Sequence, residues 1–249
     1  MNKSANKRVK TLVALFMLST ALTGNVFASG ETSTESSTNA ITDKHEKIKS
    51  ELLKDDRLEL IEDHGDGNFS VALKPNVSLE QMSEVMKRKD VLETENEVML
   101  PQWTNNYTLY DIRSGESPGG STYFVEFNSN VSVTGGDITS DEEAIWSGWH
   151  EDNLYSSTTA SSITSSDNFS YTYIGWNPTF SVPSGISFTG GGSSITVNYP
   201  EKKGNWYMHY YNNIIGRQNN ITSVAQSASV TFLAGGKSFS ISSYDSADN

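Results

Sequence analysis

Along the second half of the chain, large apolar side chains alternate with small polar ones at a period of two. Tyr123, Val125 and Phe127 share one face of a run, and Phe169, Tyr171 and Tyr173 share one face of another. Ile195, Val197 and Tyr199 alternate with Ser194, Thr196 and Asn198. The same holds for Trp206, Met208 and Tyr210, for Ala228, Val230 and Phe232, and for Phe239 and Ile241 set among Ser238, Ser240 and Ser242. Successive side chains of a strand point to opposite faces, so the pattern predicts strands with a buried face. Turn residues fall between the runs, at Ser114-Gly115, Gly135-Gly136, Pro183-Ser184-Gly185, Gly190-Gly191-Gly192, Lys203-Gly204 and Gly235-Gly236. Residues 102–249 therefore read as an all-β, mostly antiparallel sandwich or barrel of about eight strands. One helical turn is expected inside it. Ser140-Asp141-Glu142-Glu143 has the form of a capping box and leads into Ala144, Ile145 and Trp146.

Upstream the period changes. Ile48, Leu52 and Leu53 recur at helical spacing, and Leu58, Leu60 and then Phe69, Val71 and Leu73 flank the turn His64-Gly65-Asp66-Gly67-Asn68. Ser78, with Gln81 three residues on, caps a second helix whose apolar stripe is Leu79, Met82, Val85 and Met86. The cations Lys87-Arg88-Lys89 fit the solvated last turn of that helix, and residues 91–100 offer a further strand. Residues 43–101 thus form a small α+β module, and the fold class is α+β overall. A unit of this size has little core of its own, so it leans on its neighbour or serves it as a pro-segment. No dibasic cleavage signal stands near Pro101, which favours a permanent module. Residues 29–42, rich in Ser, Thr and Glu and free of aromatics, read as a disordered leader.

At the start of the chain Lys3, Lys7, Arg8 and Lys10 precede an apolar run over residues 12–22, and Val26-Phe27-Ala28 places small residues at the cleavage positions. This is the pattern of a secretory signal peptide over residues 1–28. The run is shorter than the roughly 20 residues needed to span a bilayer, and nothing later is long or apolar enough, so no integral membrane segment is expected after cleavage. The expectation is a secreted, extracellular protein. Cysteine is absent, which removes disulfides and a lipidated N-terminal cysteine and leaves packing to hold the fold. A cysteine-free body rich in Asn, Ser and Thr behind a Lys/Arg-led signal fits Gram-positive export. The formal net charge is −12, and loss of the four signal cations takes it to about −16. A polyanion repels phosphate backbones, so nucleic acid is not an expected partner.

Candidate chemistry is thin. Gly115-Glu116-Ser117-Pro118-Gly119 matches G-x-S-x-G but leads into a strand rather than a helix, so it reads as a hairpin loop. His45, His64, His150 and His209 show no zinc spacing, and no cysteine joins them. Asp137, Asp141, Glu142, Glu151 and Asp152 crowd one stretch and make a candidate calcium loop, although their spacing is not that of an EF-hand. No other cofactor is expected. Aromatic residues are the positive lead. The strand Trp206-Tyr207-Met208-His209-Tyr210-Tyr211 carries rings on both faces. If one face is core, the other presents Tyr207, His209 and Tyr211 outward, and with Trp176 and Trp206 these are the candidate ligand-binding residues. The reading is a non-enzymatic binding protein that holds a cell-wall or host glycan or another cell-surface component. The alternative is a secreted pore-forming or antibacterial toxin, with residues 156–167 as a polar stem and 43–100 as pro-segment. No motif supports an enzyme.

Overall fold

The computed structural model describes residues 33–95, 105–117, 119–135 and 142–249, with backbone alone for 33–38 and 95. The signal peptide, residues 29–32 of the expected leader, the boundary near Pro101, Pro118, and Asp137 and Asp141 lie outside the described residues. Helices α1 (Ser33–Leu52) and α2 (Leu79–Glu95) bracket a hairpin of β1 (Leu58–Gly65) and β2 (Asn68–Leu73). Then come β3 (Asn105–Glu116), β4 (Thr122–Thr134), β5 (Glu142–Tyr155), β6 (Ala160–Tyr173), β7 (Thr179–Ser181), β8 (Phe188–Gly191) and β9 (Ser194–Asn198). The chain continues through β10 (Lys202–Gly204), β11 (Trp206–Gln218), β12 (Ile221–Ala234) and β13 (Lys237–Asp248).

Two sheets pack face to face. The first runs β1-β2-β11-β5-β4-β3 with β7 also on β11; the second runs β13-β12-β6-β9-β8 with β10 on β6. Every pairing among the described residues is antiparallel. The expected α+β chain with a mostly antiparallel sandwich is thus what forms. The edge strands β3 and β13 meet at one side of the sandwich. There the Tyr110 N–H donates to Asp245 and the Tyr244 N–H to Asp111, each at 2.9 Å, so carboxylates occupy backbone donors that would otherwise template another strand.

Two apolar layers follow from the alternation. Between the sheets lie Val125, Phe127, Trp146, Phe169, Ile195, Val197, Tyr211, Val230 and Phe232. On the other face of the first sheet, Ile48 and Leu52 of α1 and Met82 and Val85 of α2 pack on Phe69, Val71, Trp149, Trp206, Met208 and Tyr210. The first sheet is therefore covered on both sides, which is why β2 is buried at every position and β5 at nearly every one.

Several expectations change in this light. The α+β segment is not separate: β2 pairs with β11 from Tyr207↔Ala72 to Tyr210↔Phe69, and residues 33–249 form a single compact unit. Residues 33–42 of the expected disordered leader are helical. The leader's Thr42 hydroxyl accepts from Asn212 Nδ2 at 2.9 Å, and His45 Nδ1 donates to the Gly67 carbonyl at 2.9 Å, which docks α1 on the β1–β2 turn. That turn needs glycine at position 67, where φ is +78° and a Cβ would lie 3.0 Å from His45 Cβ. Residues 91–95 continue α2 instead of starting a strand. The capping box at Ser78 forms as expected, with Ser78 N–H donating to Gln81 Oε1 at 2.9 Å and Gln81 N–H to Ser78 Oγ at 3.3 Å.

The helical turn expected at Glu142-Glu143 is instead the start of β5. Glu142 accepts the Ile221 N–H at 2.7 Å and Glu143 pairs with Arg217 at 2.6 Å, so tertiary partners outweigh the local capping pattern. The tract 156–167, expected as a polar stem, runs mostly within β6, a central strand paired with β12, β9 and β10. Ser117 lies in the tight β3–β4 turn, where its N–H donates to the Ser121 carbonyl at 2.8 Å, in keeping with the hairpin-loop reading. No helix among the described residues is long and apolar enough to cross a membrane.

Candidate functional site

The chemistry-bearing side chains gather on both faces of β5. Residues 150 and 152 point between the sheets, while 149, 151 and 153 point toward the helices, as period two requires. On β11, His209 is the direct cross-strand partner of His150. Opposite residues of an antiparallel pair stand close enough for their side chains to touch. His150, Asp152 and His209 accordingly form a cluster whose ligand-type atoms all lie within 4.8 Å of one another, and all three are buried.

A shell of polar residues from both sheets holds this cluster. His150 Nε2 lies 2.8 Å from Asp152 Oδ1, and His150 Nδ1 lies 3.3 Å from Asp167 Oδ2 on β6. The Ser165 hydroxyl donates to Asp152 Oδ2. Asp167 also accepts from the Tyr199 hydroxyl at 2.6 Å and from Gln226 Nε2 at 3.2 Å. His209 Nδ1 lies 2.9 Å from the Ser70 hydroxyl, and the His209 ring stacks on Tyr199 with centroids 3.5 Å apart and planes 11° apart. Its Nε2 has no hydrogen-bond partner and sits 3.8 Å from Asp152 Oδ2, beyond hydrogen-bond reach. Burial pushes His209 down to about 4. Burial acts the same way on His150, but the carboxylates of Asp152 and Asp167 on either side overcome it and raise His150 to about 10. Burial alone would raise Asp152, and the two imidazoles hold it below its ordinary value. A narrow cleft reaches from His64 and Asn198 to Ser70 and Tyr199, both of which touch His209, and its enclosed part has room for about one water.

On the helix side of β5 a second buried cluster centres on Glu151. Lys89 Nζ of α2 lies 2.6 Å from Glu151 Oε2 and 4.4 Å from the Trp149 ring centroid. Trp206 Nε1 and Asn153 Nδ2 donate to Glu151 Oε1 at 2.7 and 2.6 Å. The basic run 87–89 is thus not a fully solvated turn, because its third residue is turned inward to meet a buried carboxylate.

The residues singled out from the sequence scatter. Trp206 lies in the helix-side core, and Tyr207, His209 and Tyr211 lie between the sheets, all buried. The division of this strand into two faces is as expected, but neither face is outward, because helices cover one and the second sheet the other. The outward aromatic platform is therefore corrected. Trp176 alone of the five is exposed, at 89%. The candidate calcium ligands do not converge among the described residues: Glu142 bonds the Ile221 N–H, and Glu151 and Asp152 face opposite sides of β5. The histidine pairing was missed because 59 residues separate His150 from His209. The readable part was His150 and Asp152 at i, i+2 on a strand, a spacing that shares a face.

Trp176 sits in the β6–β7 loop beside Ile174, which is 68% exposed. The loop is pinned to the β11–β12 turn: Ile174 N–H donates to the Asn220 carbonyl at 3.0 Å, and Gln218 Nε2 donates to the Trp176 carbonyl. Asn177, Asn219 and Asn220 are exposed around it, and Asn177 and Asn220 have φ of +64° and +52°.

No family model matches the chain, and no curated protein matches it. Among solved structures, it is similar to one described as the complete structure of manganese lipoxygenase of Gaeumannomyces graminis and partial structure of zonadhesin of Komagataella pastoris. The identity is 9%, the match covers 61% of this chain and 79% of that one, and the TM-score is 0.20. A likeness that slight carries no argument about fold or function.

Proposed function

We propose that this is a secreted binding module that docks carbohydrate at the Trp176 loop. The observation that supports the reading is a tryptophan ring left almost wholly in water on a loop tied down at Ile174 and at the Trp176 carbonyl. Isolated exposed tryptophans cost solvation, and a flat ring held rigidly recovers it by stacking on a sugar face. The exposed Asn177, Asn219 and Asn220 of the same two turns supply amide hydrogen-bond donors and acceptors near it. The strongly acidic chain disfavours an anionic surface as the partner.

The test is retention of the folded protein on insoluble polysaccharides and on purified cell-wall sacculi. Wild type is retained on at least one, and Trp176→Ala loses retention by tenfold or more while its melting temperature is unchanged. Retention on none, or retention unaffected by the substitution, overturns the proposal. The toxin alternative rests on residues 156–167, most of which serve as a central strand; dye release from liposomes would be the result in its favour.

A further inference from the structure

We infer that His150, Asp152 and His209 are the ligands of a buried divalent transition-metal site, with zinc as the expected ion. This goes beyond the carbohydrate reading and does not depend on it.

Three observations carry the inference. The first is the orientation of the rings. His150 turns Nδ1 to Asp167 and His209 turns Nδ1 to Ser70, which leaves both Nε2 atoms directed at the same carboxylate. That is the outer-shell arrangement of ligating histidines, whose second nitrogen is held by a carboxylate, carbonyl or hydroxyl so that the first presents a lone pair. Tyr199 stacked on His209, and Ser165 on Asp152, fix the remaining orientations. The second is His209 Nε2. It is fully buried, aimed into the cluster and without a partner, although a buried imidazole nitrogen ordinarily finds one. The third is charge. Asp152 and Asp167 bring two carboxylates into the middle of the sandwich, and no lysine or arginine among the described residues pairs with either. His150 lies between the two carboxylates, 2.8 Å from Asp152 and 3.3 Å from Asp167, and a divalent ion that displaces the proton on its Nε2 takes over the pairing with Asp152, while Nδ1–H stays on Asp167 behind it.

Ligand type selects the metal. Two imidazole nitrogens and one carboxylate suit zinc and its first-row neighbours, whereas calcium takes six to eight oxygens. Bonds of about 2.0–2.1 Å in a tetrahedron place ligand atoms about 3.3 Å apart, within reach of the present cluster by small ring movements. Three protein ligands leave a fourth position for water. Enclosure between the sheets makes the ion a structural clamp that joins β5 to β11 and, through Asp167, to the second sheet.

The experiment unfolds the full exported chain in guanidinium with chelator, refolds it with or without zinc alone, and then measures bound metal and thermal stability. The expected result is near one zinc per chain after desalting, with a melting temperature that rises with free zinc. His209→Gln loses both responses, and His45→Gln, a buried histidine elsewhere, keeps them. Should His209→Gln fail to fold, cobalt-loaded wild type answers instead: visible bands of a four-coordinate site with nitrogen ligands support the assignment. A folded wild type that takes up no metal, a cobalt spectrum of oxygen-only six-coordination, or full zinc uptake by His209→Gln overturns it.

Discussion

Replacing Lys89 by methionine isolates a carboxylate in the core. Lys89 and Glu151 side chains are 4% and 1% exposed, and their charged atoms are 2.6 Å apart. Removing one partner of such a pair typically costs about 3–5 kcal/mol, because the other charge stays behind without water. Two features place this case near the lower end. Glu151 retains hydrogen bonds from Trp206 and Asn153. The second partner of Lys89, Asp90, is largely exposed and is solvated when the lysine goes. Methionine keeps the packing of the stem on Trp149. A cost near 3 kcal/mol corresponds to a fall of about 6–12 °C in melting temperature for a unit of this size. Urea unfolding of wild type, Lys89→Met, Glu151→Gln and the double variant at pH 7 measures it, with the slope required to stay constant. The double variant is expected to lose less than the sum of the two single losses, by a coupling of about 2 kcal/mol or more. Strictly additive losses, or a Lys89→Met variant within about 1 kcal/mol of wild type, would refute the claim that α2 is anchored to the sheet by this pair.

Two further outcomes follow from the same layer. His45 is buried and held at about 4, mainly by burial, whereas the unfolded chain has it at 6.5. Between those values the unfolded state binds the proton more readily, so this contribution to stability is present above about pH 6.5 and is lost as pH falls toward 4, up to about 3 kcal/mol. Subtracting the pH–stability curve of His45→Gln from that of wild type isolates it, and a flat difference over that window contradicts the assignment. Deleting residues 33–95 strips β1 and β2 from the first sheet and bares Trp149, Trp206, Met208 and Tyr210. The truncated chain is expected to aggregate, and a soluble, cooperatively melting 105–249 fragment would show instead that the sandwich stands alone.

Local pattern was enough for much of this protein. Period two on β11 assigns Trp206, Met208 and Tyr210 to one face and Tyr207, His209 and Tyr211 to the other, as found. Ser78 and Gln81 announce α2, and His64 to Asn68 announce the hairpin, because caps and turns are satisfied by residues a few positions away. Alternation says which side chains share a face but not what covers that face. Rings on both sides of β11 suggest one core face and one wet one, but the second sheet closes the Tyr207, His209 and Tyr211 face and the helices of residues 33–95 close the Trp206, Met208 and Tyr210 face. Glu142 and Glu143 have the local chemistry of a helix start, and partners at Ile221 and Arg217 draw them into a strand.

Composition and short-range periodicity, then, determined by themselves that the chain is an antiparallel sandwich with a helix-and-hairpin segment ahead of it, since those depend on contacts between near neighbours. Only tertiary structure decided that the hairpin joins the sheet, that Lys89 turns inward to Glu151, and that His150 and Asp152 meet His209 and Asp167. Those meetings are set by strand register and by the packing of one sheet on another, which bring together residues that no local spacing relates.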